Sequence, residues 1–245
     1  MSHYESYYVD PDNIQNEHLI ITDKEVHHLI RVKRRKIGDI IWTVDGRGGA
    51  YETELIHISK SRAEGRILRS RRRMGEPIAE MTLAQAIIKG DRFDWMIEKC
   101  VEIGIQRIIP MISEKTIVKA GSGKIHRWKR VALGAMKQCG RSVLPDISEP
   151  RSFKQVCALG ADCQVRLIAH PGPESQPIHL SKPENHRIPK AICMVGPEGG
   201  FSSPEVDLAV DNGYTPVTLG NRRLRAETAG ILLSAIVFSQ WGELC

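Results

Sequence analysis

The chain has 245 residues, 41% of them hydrophobic, with 35 lysines and arginines against 29 acidic residues and a net charge of +6. That length buries one sizeable core or two modest ones, since domains run from roughly 50 to 250 residues, and the positive balance suits a polyanionic partner without requiring one. No stretch approaches the roughly 20 uninterrupted apolar residues of a membrane span, and the opening MSHYESYYVD lacks the basic start and apolar run of a secretory leader, so a cytoplasmic protein is expected.

In chain order, Asp23 is placed to cap a short helix through KEVHHLIR, which delivers the basic run RVKRRK, Arg31 to Lys36, at its carboxyl end. GDIIWTVDGRGGAYETELIHI then reads as two β-strands joined at the turn signals Asp45-Gly46 and Gly48-Gly49. A second basic run, RILRSRRR, spans Arg66 to Arg73. One such run suggests a solvated face; two within the first third of the chain point to nucleic acid. Residues 1–73 are therefore expected to form a small β-barrel or sandwich that binds nucleic acid.

GEPIAE, from Gly75 to Glu80, reads as a linker, after which apolar strands alternate with longer amphipathic helices, the signature of an α/β domain over 74–245. Its first strand is LAQAII from Leu83. A helix opens at Asp91, carries Phe93, Met96, Ile97, Cys100 and Val101 at three-to-four spacing, and stops at Gly104. RIIPMI follows as a strand, then a second helix over about Ile125 to Cys139, ended by Gly140. VRLIAHPG, AICMVGPEGG and PVTLGN each join an apolar strand to a loop at its carboxyl end, where ligands bind in open α/β sheets.

The cysteines, at 100, 139, 157, 163, 193 and 245, form no C-x-x-C pair and read as reduced thiols. The histidines are not grouped with them at ligand spacing, so no metal is expected. GPEGGF does not match G-x-G-x-x-G, and GSGKI at Gly121 to Ile125 lacks the first glycine and the final hydroxyl of a phosphate loop. Dinucleotide and nucleoside-triphosphate chemistry are disfavoured.

Two segments carry the strongest local signals. In MVGPEGGFSSPE, Gly196, Gly199 and Gly200 let backbone approach a ligand, and the loop feeds a helix with Ser202 and Glu205 as a capping box and Pro204 in the first turn. The alternative is a well-made strand-loop-helix junction with no ligand. In LGNRRLRAETAGILLSAIV, Gly220 leads through three arginines into a buried or interfacial helix with Glu227 and Thr228 in its first turn. An acid there is often simple compensation of the helix dipole.

Together, GPEGGFSSPE from Gly196 and LGNRRLRAETA from Leu219 resemble the ribosomal RNA small-subunit methyltransferase E family of the SPOUT superfamily. KGDRFDWMIEKCVEIGIQRIIP from Lys89, KQCGRSVLP from Lys137 and the opening HHLIRVKRRKIGD extend the resemblance over nearly the whole chain. Lys137, Ile103 and Ala226 depart from the residues common at those places in the family.

The resemblance implies a PUA-like β-barrel followed by a SPOUT domain whose carboxyl-terminal segment ties a trefoil knot around S-adenosylmethionine. It implies a homodimer and transfer of the methyl to N3 of a uridine in 16S ribosomal RNA of the small subunit. Gly196, Pro197, Glu198, Gly199, Gly200, Leu219, Gly220, Leu224, Arg225, Glu227, Thr228 and Ala229 would hold the cofactor, with His170-Pro171 as a weaker third wall. The imide nitrogen must lose a proton or have its developing charge stabilised, and Arg225, Glu227, Arg141 and Gln138 are the candidates, with no role assigned among them. Arg31, Lys33, Arg34, Arg35 and Lys36 would contact the RNA backbone. The alternatives are a non-catalytic RNA-binding or ribosome-assembly factor on the same fold, or a SPOUT enzyme for another RNA target.

Overall fold

A computed structural model describes residues 5–118, 121–181 and 188–244. The chain divides into two compact units, one made of residues 1–76 and 133–144, the other of 77–132 and 145–245.

The smaller unit opens with β1 (Ser6–Tyr8), β2 (Ile14–Gln15) and β3 (His18–Thr22), passes through α1 (Asp23–His27), and continues with β4 (Ile40–Val44), β5 (Gly49–Ile58) and β6 (Arg62–Arg72). These strands form one sheet in the order β1-β4-β5-β6-β3-β2, antiparallel except where β1 runs alongside β4. Alternation drives the burial: Leu19 and Ile21 of β3 point into a core with Tyr7, Val26, Leu29, Ile41, Leu55 and Ala63. The turn read at Asp45-Gly46 is built by the Asp45 carboxylate, which accepts from the backbone N–H of Arg47 and Gly49 and from the Tyr51 hydroxyl. The expected capping by the Asp23 side chain lies outside the described residues. After α1 the chain winds into a π-helical turn, His28–Val32, and the basic run begins within it.

The larger unit contains β7 (Glu80–Ala86), α2 (Arg92–Ile103), β8 (Arg107–Ile112), α3 (Ser122–Cys139, whose last residues count with the smaller unit), β9 (Asp146–Ile147), β10 (Arg151–Ser152), α4 (Phe153–Leu159), β11 (Val165–Ala169), β12 (Lys190–Val195), α5 (Ser203–Asp211), β13 (Thr215–Val217) and α6 (Ala226–Trp241). The strands are all parallel, in the order β10-β8-β7-β12-β11-β13, with β9 beside β8. Parallel strands bury both faces, and each here does. Ala84 and Ala86 of β7 join Ile109, Met111, Ile192 and Met194 under Phe153 and Val156 of α4 and Val206 of α5. On the other face Leu83 and Gln85 meet α6, so closely at Gly230 that a Cβ there would lie 2.4 Å from Gln85 Oε1.

Both long helices end as their glycines predict. Gly104 closes α2 in the left-handed region at φ 116°, its N–H bonding back to Cys100 and Val101, and Gly140 follows α3 at φ 76°. α6 follows the edge strand β13 yet returns to pack on α2 and over β7 and β12 in the middle of the sheet. That return carries the segment 218–225 past the carboxyl ends of β11 and β12.

The boundary between the units falls inside GEPIAE, after Glu76, whose side chain is buried and paired with Arg141 of the same unit.

Candidate functional site

Three loops leave the carboxyl ends of neighbouring strands β12, β11 and β13 and enclose a hollow of about 660 Å³. Its size falls within the range of small-molecule sites. The first wall is the Gly196–Gly200 loop, folded back on itself by the Gly200 N–H donating to the Pro197 carbonyl at 2.8 Å. At Gly196 a Cβ would stand 3.1 Å from the Gly200 carbonyl carbon, so any side chain would push this turn apart. At Gly200 and Gly220, both left-handed, no atom lies within 4 Å of where a Cβ would be, which leaves their backbone open to a ligand.

Cations hold this loop. Lys115 Nζ donates to the carbonyls of Gly199 and Phe201, both at 3.2 Å, and Arg223 Nη2 donates to the Glu198 carbonyl at 3.0 Å. Arg92 of α2 lies 3.6 Å from the Glu198 carboxylate. Behind the loop, buried Glu205 accepts from the backbone N–H of Ser202 and Glu114, which fixes the start of α5.

The second wall runs from Val217 to Arg225 and on to Ala226 and Ala229; the third is Ala169, His170 and Pro171. His170 Nε2 reaches Glu174 Oε1 at 3.0 Å, and the His170 N–H donates to the Val217 carbonyl, tying the third wall to β13.

A second, smaller hollow of about 450 Å³ lies between the amino-terminal ends of α2 and α6, lined by Asp91, Arg92, Trp95, Arg225, Glu227 and Thr228. Arg225 lines both hollows, so the two adjoin at its side. Arg127 of α3 pairs with Asp91 and Asp94 and so fixes the acidic first turn of α2.

Of the residues read from the sequence as cofactor contacts, Gly196, Pro197, Glu198, Gly199, Gly200, Leu219, Gly220, Leu224, Arg225 and Ala229 line the larger hollow. Glu227 and Thr228 face the smaller one instead, because in the first turn of α6 they lie on the side toward α2. The structure adds Val217, Thr218 and Asn221 to the larger hollow and Trp95 and Arg92 to the smaller. Trp95 carries no motif signal beyond its place in KGDRFDW; its marker is that a large aromatic sits between the apolar positions of its helix.

Arg141 is 2% exposed, and its guanidinium pairs with Glu76, with Nη2 2.7 Å from Oε2, while Glu76 also accepts from the N–H of Ser142 and Val143. The pair supports residues 141–143, and Arg141 is in the lining of neither hollow. Gln138 is exposed and lines neither hollow.

In the smaller unit Arg31, Lys33, Arg34, Arg35 and Lys36 are all exposed. Lys33 pairs with Glu5, and Arg35 bonds the Tyr7 side chain, while Arg31, Arg34 and Lys36 have no ion-pair partner among the described residues. In the second basic run Arg66 pairs with Glu54 at 2.6 Å and Arg69 with Glu52 at 3.8 Å across β5, and Arg71 lies over the Trp42 ring. Among the described residues no cluster of metal-binding side chains occurs, and no helix is long and apolar enough to cross a membrane.

Residues 75–238 match the RNA methyltransferase domain family, and residues 21–68 match the RNA methyltransferase PUA domain. A ribosomal RNA small subunit methyltransferase E from Synechocystis is 31% identical over 90% of this chain and 73% of its own length, and one from Bacillus subtilis 29% identical over 89% of each. The crystal structure of a ribosomal RNA small subunit methyltransferase E from Neisseria gonorrhoeae, bound to S-adenosylmethionine, superposes with a TM-score of 0.86 at 32% identity over 98% of both chains. With these two domain matches in succession and a relative 31% identical over most of both chains, the chain belongs to the ribosomal RNA small subunit methyltransferase E family.

Proposed function

We propose that this protein methylates N3 of a uridine in 16S ribosomal RNA of the small subunit, with S-adenosylmethionine held in the larger hollow. The observation that carries the reading is the convergence of three strand-end loops on one hollow, with Gly196, Gly199, Gly200 and Gly220 in its wall. A nucleoside-bearing cofactor is bound by main-chain groups in such a cradle, and a SAM-bound relative superposes over nearly the whole chain. When bound, S-adenosylmethionine supplies an electrophilic methyl group. The chain's own residues do the rest: the Gly196–Gly200 loop and residues 218–225 hold and orient it, and Lys115 and Arg223 keep the loop from opening. Alignment of this kind is worth about 7–11 kcal/mol of the barrier in favourable cases.

Three finer features belong to the same reading. The return of the chain from β13 to α6, past the loops after β11 and β12, is the path a trefoil knot takes, and knots are otherwise rare. α6, with Ile231, Leu232 and Ile236 only partly buried, supplies the apolar face of a homodimer. Residues 1–73 form the RNA-holding part, with Arg31, Arg34 and Lys36 as its phosphate contacts, and the protein works in the cytoplasm.

Two measurements test the proposal: calorimetry with S-adenosylhomocysteine, and mass mapping of methylated nucleosides in 16S ribosomal RNA from cells with and without the gene. Saturable binding and loss of one N3-methyluridine are expected; no binding, or an unchanged methylation map, defeats it.

A further inference from the structure

The smaller hollow is more than an extension of the cofactor site. Its walls are chemically unlike: an indole 47% exposed on α2, a carboxylate on α6, and two cations, Arg92 and Arg225. Of the chain's tryptophans, Trp128 and Trp241 are buried and Trp42 is half-buried under Arg71; Trp95 alone is exposed. An exposed indole is costly in solvent and suits a flat ligand that stacks on it. Glu227 is 4% exposed, and its Oε2 is buried with no hydrogen-bond partner. An unpartnered carboxylate oxygen in such a place calls for a donor from a ligand.

We propose that this hollow receives the target base, that Trp95 stacks on the ring, and that Glu227 Oε2 accepts the hydrogen on its N3. The proposal rests on the methyltransferase reading above and adds the site and selection of the base. Position supports it: the hollow adjoins the cofactor hollow at Arg225, so a base stacked on Trp95 presents its edge toward the wall the two share. Chemistry supports it as well. A carboxylate can only accept, so it pairs with a uracil, whose N3 bears hydrogen, and repels a cytosine, whose N3 presents a lone pair. The N3–H bond then breaks with its electron pair left on nitrogen while the proton joins Glu227 Oε2, and N3 becomes the nucleophile. Arg92 and Arg225 offset the charge that spreads onto the exocyclic oxygens O2 and O4, and a base in this hollow has left its stack, as base-modifying enzymes require.

The test uses the full-length protein saturated with S-adenosylhomocysteine and follows indole emission during titration with uridine 5′-monophosphate and cytidine 5′-monophosphate. Uridine monophosphate is expected to quench saturably and to bind at least tenfold more tightly than cytidine monophosphate. Trp95→Ala weakens uridine binding by about tenfold, measured by calorimetry, while Trp95→Phe keeps most of it. Glu227→Gln, whose amide can donate as well as accept, brings the two nucleotides to similar affinity. Equal binding of both nucleotides by the native protein, or no effect of Trp95→Ala, overturns the proposal while S-adenosylhomocysteine binding leaves the methyltransferase reading standing. Absence of S-adenosylhomocysteine binding overturns both.

Discussion

Glu76 and Arg141 form an ion pair in which neither side chain meets solvent, one being 0% and the other 2% exposed. The carboxylate also takes the backbone N–H of Ser142 and Val143, so a single side chain organises the turn after α3. Removing one partner of such a pair strands the other charge. Arg141→Ala is expected to cost about 3–5 kcal/mol, read as a lower urea midpoint. The fraction that remains folded should bind S-adenosylhomocysteine as the native protein does. Unchanged stability with lost turnover would instead place Arg141 among the reacting groups.

RNA affinity should depend on salt through the cations without acidic partners. Replacing Arg31, Arg34 and Lys36 together by Ala removes three such charges, and the slope of log affinity against log salt on single-stranded RNA should flatten by about two units. Filter binding at several salt concentrations reads it. An unaltered slope would place the RNA on another face of the smaller unit.

Gly230 is where α6 comes closest to β7. A methyl there meets Gln85 Oε1 at 2.4 Å, so Gly230→Ala should lower stability by about 1–3 kcal/mol through overpacking. Adding Gln85→Ala opens the space, and the double variant should lose less than the sum of the two single ones. Strict additivity would show that the helix shifts freely and that the contact is not tight.

Burial pushes the Cys100 thiol up to about 12, against a small opposing contribution from its hydrogen bond to Ser234. The unfolded chain ionises this thiol near pH 9 and the folded chain does not, so its contribution to stability is complete below pH 9 and is lost progressively between pH 9 and about 12. Denaturation midpoints should fall over that window, and less so in Cys100→Ala. At pH 8 iodoacetamide should modify exposed Cys139 well before Cys100 or Cys193, both fully buried.

Strongly periodic elements were legible from residue order. α2 is the clearest case: Phe93, Met96, Ile97, Cys100 and Val101 mark a buried stripe, and Gly104 supplies the left-handed stop. The glycine loop and the arginine-rich turn were legible too, because their residue types are needed for their backbone geometry. Other features were not. Periodicity reports which positions are buried, so it passed over Trp95, which matters because it is exposed. Arg141 fits a motif, but a motif does not say whether a guanidinium faces a ligand or a carboxylate 65 residues earlier in the chain. Residues 133–144 count with a unit far from them in sequence, a grouping that residue order does not report.

The first turn of α6 is a wall of both hollows, and this sets a limit during synthesis. A nascent chain that ends between Val217 and Ala226 has every strand of the parallel sheet but lacks the α6 residues that line the two hollows and cover one face of that sheet. Both compartments therefore wait on the last helix to be translated.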